Sequence, residues 1–87
     1  MEVLVYSKTT CPYCVAAKNW LSQNNVPFKE VKLDDDAERM AFYDKVGEGV
    51  RTVPQIFIDG KRIGGYSDLL KSEFAEQVKA GEFGADF

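Results

Sequence analysis

The chain has no histidine among its 87 residues and only two cysteines. Without histidine there are no Ser-His or Cys-His nucleophile pairs and no imidazole metal ligands. Two cysteines alone cannot close a structural zinc site from this chain. Basic residues are not in excess. The net charge of −3 makes a poor general binder of nucleic acid, so no such partner is expected. No apolar run approaches the length that spans a membrane, and no membrane partner is expected. The first residues, Met1-Glu2-Val3-Leu4-Val5-Tyr6, carry no basic region followed by a long apolar stretch, so a secretory leader is not expected. A cytoplasmic location is the resulting expectation. In that compartment a C-x-x-C pair reads as redox or metal chemistry rather than as a structural bridge.

What is present suffices for a folded core. Hydrophobic residues make up 45% of the chain and aromatics 13%, which argues against disorder. The length predicts a single domain over 1–87. A domain of this size buries only about 60–65% of its unfolded surface. A staple would help, yet a bridge between Cys11 and Cys14 closes a tiny loop and constrains little of the unfolded chain. The pair therefore points to chemistry rather than to stapling.

Val3 to Tyr6 reads as a strand buried on both faces, and Ser7 to Thr10 as a polar loop. From Pro12 the pattern turns helical, with Cys14, Ala17, Trp20 and Leu21 near one face, and it ends near Asn24-Asn25 before Val26-Pro27. Phe28 to Leu33 reads as an edge strand with Val31 and Leu33 on one face. Asp34-Asp35-Asp36 suits a helix N-terminus better than a calcium loop, which needs spaced ligands and a later glutamate. A helix over Ala37 to Val46 follows, with Met40, Tyr43 and Val46 inward and Gly47 as its stop. Gly47-Glu48-Gly49 lacks the lysine and hydroxyl of a phosphate loop and reads as a connector. Gln55 to Ile58, the turn Asp59-Gly60 and Lys61 to Ile63 form a hairpin. Gly64-Gly65 breaks it. Ser67 or Asp68 caps one last helix, with Leu69, Leu70, Phe74 and Val78 as its stripe and Gly81 as its stop. Glu82 to Phe87 reads as a loosely attached tail, with Phe83 or Phe87 able to dock on the core. The order β-α-β-α-β-β-α predicts an α/β fold: one four-stranded mixed sheet flanked by three helices.

The cysteines lie at the start of the first helix. Helix N–H groups and the positive dipole end stabilise a thiolate there. Cys11, at or before the cap, is the expected nucleophile. Cys14, one turn inside and more buried, is the expected resolving thiol.

Four strings together, Tyr6-Ser7-Lys8, CPYC at Cys11 to Cys14, Thr52-Val53-Pro54-Gln55-Ile56-Phe57 and Gly64-Gly65-Tyr66-Ser67-Asp68, make the chain resemble a dithiol glutaredoxin of the thioredoxin fold. The resemblance covers nearly the full length. It implies a cis bond at Val53-Pro54, a minority form at about 5–6% of X-Pro bonds. It also implies that the Val53 backbone pairs with an extended peptide such as glutathione. The γ-glutamyl carboxylate is then expected on the N–H groups of Ser67 and Asp68, and Tyr13, Thr52, Pro54 and Gly65 flank the ligand. Lys8, with Arg51 or Gln55, is expected to meet the glycyl carboxylate. Plainer roles stay open: Asp68 as a cap, Gly64-Gly65 as a strand terminator, Lys8 and Arg51 as solvated charges.

The implied activity is glutathione-dependent reduction of protein disulfides and glutathione mixed disulfides. Glutathione is the co-substrate, no cofactor is tightly bound, no metal is held, and the chain acts as a monomer. Ribonucleotide reductase is a client implied by the family. The alternatives are a thioredoxin-like carrier reduced by a flavoprotein reductase, and a [2Fe–2S]-binding module held by two chains and two glutathiones. Pro12 and the second cysteine speak against the cluster.

Overall fold

The computed structural model describes residues 1–47 and 49–79. Its first strand, β1 (Val3–Ser7), alternates strictly: Val3, Val5 and Ser7 are buried on one face, while Leu4 and Tyr6 are half-buried on the other. It runs into α1 (Pro12–Gln23), which is capped by Cys11 and opens on Pro12, where the missing N–H costs no hydrogen bond. The helix buries Cys14, Ala17 and Leu21, and Asn24 ends it. β2 (Lys29–Lys32), α2 (Asp36–Val46), β3 (Gln55–Ile58) and β4 (Lys61–Gly64) follow. The sheet order is β2-β1-β3-β4, with β2 parallel to β1 and the other neighbours antiparallel. This is the expected four-stranded mixed sheet. Asp59 and Gly60 turn β3 into β4, both with positive φ as a primed hairpin turn requires.

The two faces of the sheet are built differently. Val3, Val5 and Ile56 pack with Ala17 and Leu21 of α1 and with Leu69, Phe74 and Val78 to form the main core. On the other face, Phe42 of α2 stacks on Tyr6 at 4.4 Å between ring centroids, and Phe57 meets Tyr6 edge-on at 5.4 Å.

Two expectations give way here. Met40 does not point inward. It is 53% exposed, and the inward ring of α2 besides Tyr43 is Phe42. Val31, two residues before Leu33 and on its face of the edge strand, stays 36% exposed because α2 lies over Tyr6 and Phe57 and leaves that edge partly uncovered. The last helix is also two segments, α3 (Tyr66–Lys71) and α4 (Glu73–Lys79), which makes four helices among the described residues. Ser72 causes the break. Its backbone is extended, its hydroxyl donates to the Leu69 carbonyl at 2.6 Å, and the same oxygen accepts from the Ala75 N–H at 3.1 Å. One side chain thus ends one helix and caps the next, as serine does when it competes for backbone bonds. The expected stop at Gly81 and the tail from Glu82 lie outside the described residues.

Leu69 has no exposed surface and anchors α3 in the core beneath its N-terminus. Leu69→Ala is expected to cost about 2–5 kcal/mol, the range for truncating a buried leucine. Urea unfolding of the purified chain measures it.

Candidate functional site

The site forms where β1 ends and α1 begins. Cys11 takes the N-cap position with extended backbone, and its sulfur accepts the Cys14 N–H at 3.2 Å. Its carbonyl accepts the Val15 N–H at 3.1 Å, so the first turn is closed around the cysteine. Cys11 and Cys14 are joined as a disulfide with their Cα atoms 5.2 Å apart. Cys11 keeps 8% exposure and Cys14 only 1%, the ranking that their places on the helix predict. Both are nevertheless buried, so reagents reach the pair through Cys11.

The segment leading into β3 supplies the opposite wall. The Val53-Pro54 peptide is cis, and the Val53 carbonyl oxygen lies 3.6 Å from the Cys11 sulfur. Gln55 holds this segment from behind. Only 4% exposed, it donates its amide to the Thr52 carbonyl at 3.0 Å and accepts from Arg62 at 3.3 Å. Its side chain is thereby committed to the segment rather than turned to the groove.

Tyr13, Thr52, Val53, Pro54, Gly65 and Ser67 come together, with Tyr66, around a groove of about 330 Å³. Tyr66 is the lining residue that the sequence reading missed. Its ring lies 6.4 Å from that of Tyr13 and nearly parallel to it. Lys8 lies in an adjoining groove of about 360 Å³ that includes both cysteines, Lys18 and Lys32. Arg51 stands apart, lining a third groove with Met40, Tyr43 and Asp44.

The α3 N-terminus differs in detail from the expectation. Gly65, not Ser67 or Asp68, occupies the cap position. Asp68 reaches back from the first turn and accepts the Gly65 N–H at 3.0 Å. Gly64 is required for this. It has φ +122°, and a Cβ there would collide with the Asp68 carboxylate.

Two acidic residues near the site had no assigned partner in the sequence reading. Asp34 accepts from both the backbone N–H and the hydroxyl of Thr9, at 2.6 and 2.8 Å. These bonds, the backbone one foremost, hold its carboxyl below the usual aspartate range. Glu30 accepts from Lys18 at 2.7 Å and from the buried Ser7 hydroxyl at 2.5 Å. Lys18 first, then Ser7, lower the Glu30 carboxyl below its ordinary value of 4.5. Neither partnership has a local spacing signal, because each crosses between separate elements.

A cysteine pair at a helix N-terminus, opposite a cis-proline segment in a β-α-β-α-β-β-α-α frame, defines a thiol–disulfide oxidoreductase of the thioredoxin fold. The family model described as Glutaredoxin matches residues 3–63. Glutaredoxin 3 of Escherichia coli K12 is 48% identical over 68 residues, covering 78% of this chain and 81% of the relative. Among solved structures, glutaredoxin 1 from Francisella tularensis, complexed with cacodylate, is 40% identical with a TM-score of 0.79 over 90% of this chain and 96% of that one. A buckwheat glutaredoxin–glutathione complex is 31% identical with a TM-score of 0.68, covering 92% of this chain and 70% of that one. The chain belongs to the glutaredoxin family. Some curated plant relatives are longer, and the chain spans 62% and 64% of the length of two of them.

The lowered Glu30 carboxyl sets a pH dependence. Its folded pKa lies below its unfolded one, so its contribution is complete above about 4.5 and is lost as pH falls through the folded value. Urea midpoints are expected to fall between about pH 6 and about pH 3. Glu30→Gln should remove part of that fall; identical acid limbs in the two proteins would show that Glu30 contributes nothing.

Proposed function

We propose that the chain reduces glutathione mixed disulfides and protein disulfides, with Cys11 as the attacking thiol, Cys14 as the resolving thiol and glutathione as the co-substrate. The observation that carries this reading is the position of the Cys11 sulfur. It sits at a helix N-terminus, 3.2 Å from the Cys14 nitrogen and 3.6 Å from the Val53 carbonyl oxygen, beside the groove lined by Tyr13, Val53, Pro54 and Ser67. The likeness to a glutaredoxin solved with glutathione supports glutathione as the occupant of that groove.

With a glutathione mixed disulfide, the Cys11 thiolate attacks the glutathionyl sulfur. The old disulfide breaks and the client leaves as a thiolate that takes a proton from water. A second glutathione thiolate attacks the glutathionyl sulfur now on Cys11, releasing oxidised glutathione and the Cys11 thiolate. The net change is an exchange: the client thiol is freed, one free glutathione is consumed, and it leaves in oxidised glutathione with the glutathionyl group of the substrate. With a protein disulfide, Cys11 forms a mixed disulfide with the client, and Cys14 attacks Cys11 to expel it. The product is the Cys11–Cys14 disulfide, the bond present in this structure. Two glutathiones then restore the dithiol.

In the groove, the Val53 N–H and C=O pair with the peptide backbone of glutathione as an edge strand would. The Ser67 and Asp68 N–H groups receive the γ-glutamyl carboxylate, with Gly65 and Thr52 permitting close approach and Tyr13 covering the sulfur end. Lys8 draws the glycyl carboxylate. The Asp68 carboxylate, already bonded to the Gly65 N–H, faces the γ-glutamyl amine as a second acceptor. We place the activity in the cytoplasm as a monomer, and ribonucleotide reductase is the proposed class of protein client.

A coupled assay with glutathione, glutathione reductase, NADPH and a small glutathione mixed disulfide tests the scheme. Cys11→Ser is expected to fall to the rate of glutathione alone. Cys14→Ser should keep turnover of the mixed disulfide and lose turnover of protein disulfides. Full activity in Cys11→Ser, or reduction only by a flavoprotein reductase without glutathione, would reject it.

A further inference from the structure

Cys11 is approached by a short loop whose conformation the loop itself does not determine. Thr10, immediately before the cysteine, has φ +63°, a left-handed backbone that a β-branched residue rarely adopts. Such a conformation persists where the surroundings impose it. The imposing contact comes from the far side of β2. Leu33 extends the β1–β2 pairing through its N–H to the Ser7 carbonyl at 2.7 Å, and this carries Asp34 over the loop. Asp34 then accepts both the N–H and the hydroxyl of Thr9, at 2.6 and 2.8 Å. It is not needed by the helix that follows, because Asp35 caps α2 by accepting the Glu38 N–H at 2.9 Å. Nor does Asp34 touch either sulfur.

We propose that Asp34 is a positioning residue for Cys11, acting through Thr9 to hold the loop in the conformation that seats the sulfur between the Cys14 N–H and the Val53 carbonyl. The proposal rests on Cys11 being the attacking thiol. The lowered Asp34 carboxyl agrees with a latch that stays ionised and closed at neutral pH.

The latch makes a prediction opposite in sign to a bare charge effect. Removing a nearby negative charge would stabilise the Cys11 thiolate and lower its pKa. Loosening the loop removes the helix N–H groups from the sulfur and raises it.

The test uses the full chain with Cys14→Ser, so that one thiol titrates. The rate of alkylation by iodoacetamide is followed against pH in Asp34→Ala, Asp34→Asn and Thr9→Val. In Asp34→Ala the titration midpoint is expected to rise. At a pH below both midpoints the rate should fall about threefold for each unit of rise, since a tenfold loss of thiolate is partly offset by greater nucleophilicity. Asp34→Asn keeps an acceptor for the Thr9 N–H and should fall between. Thr9→Val loses one leg with no change of charge and should move the midpoint the same way, and adding it to Asp34→Ala should change nothing further. A midpoint that falls or stays put in these variants overturns the proposal, even if thermal stability drops. Should Asp34→Ala not fold, the two single-leg variants decide alone. Faster labelling of Cys11 than Cys14 in the unmutated chain checks the underlying reading separately.

Discussion

The Cys11 sulfur is held between two pieces of backbone, one near it in the sequence and one far from it. One is the N–H of Cys14, a turn further along its own helix, and the other is the Val53 carbonyl, 42 residues away. The first contact supplies the partial positive charge that favours a thiolate. The second faces the sulfur with a peptide edge that an extended ligand can pair with. Each is useful only if β1 and β3 lie side by side in the observed antiparallel register, with Val5 opposite Ile56 and Tyr6 opposite Gln55. That pairing delivers the end of β1 and the start of β3 to the same edge of the molecule. The main core then fixes α1 over it through Ala17 and Leu21.

Around this centre the fold separates tasks. Sulfur chemistry sits on α1, and the groove beside it is built from Tyr13, the Thr52–Pro54 segment and the α3 N-terminus. Asp68 and Gly64 tie that N-terminus together, the carboxylate reaching back to Gly65 across a position that no side chain can occupy. Gln55 and Arg62 brace the Thr52 segment from the opposite face of the sheet. The groove residues are therefore carried on backbone that is already bonded elsewhere, which lowers the ordering cost for anything that binds there.

The acidic triplet shows how much one run of like residues can conceal. Its overall reading as a helix start holds for Asp35, which caps α2. Asp36 pairs with Arg39 one turn on, and Asp34 leaves the helix altogether for Thr9. The roles of Asp35 and Asp36 follow from local spacing, and that of Asp34 does not. Other departures have the same origin. Met40 and Phe42 are both apolar and two apart on one helix, and the stack on Tyr6 selects Phe42. Ser72 sits in an unbroken apolar stripe, and only its bonds to Leu69 and Ala75 divide the helix. Tyr66 was quoted as part of a motif but not as a wall of the groove, because its place depends on how α3 lies against α1.

By itself the sequence determined the order of elements as far as β4, the hairpin at Asp59-Gly60 and the inequality of Cys11 and Cys14. Each follows from short-range rules: residue period, the demand for positive φ, and the rank of a residue at a helix end. The tertiary structure alone decided that the Val53 carbonyl faces Cys11, that Arg51 stands apart from the groove, and that Asp34 closes on Thr9 across 25 residues. Those contacts are set by strand register and by the way helices lie on the sheet. Such quantities belong to the packed core as a whole, and no single stretch of sequence encodes them. The CPYC turn is thus legible as a redox pair from its spacing, while the grooves beside it exist only once the sheet has closed around it.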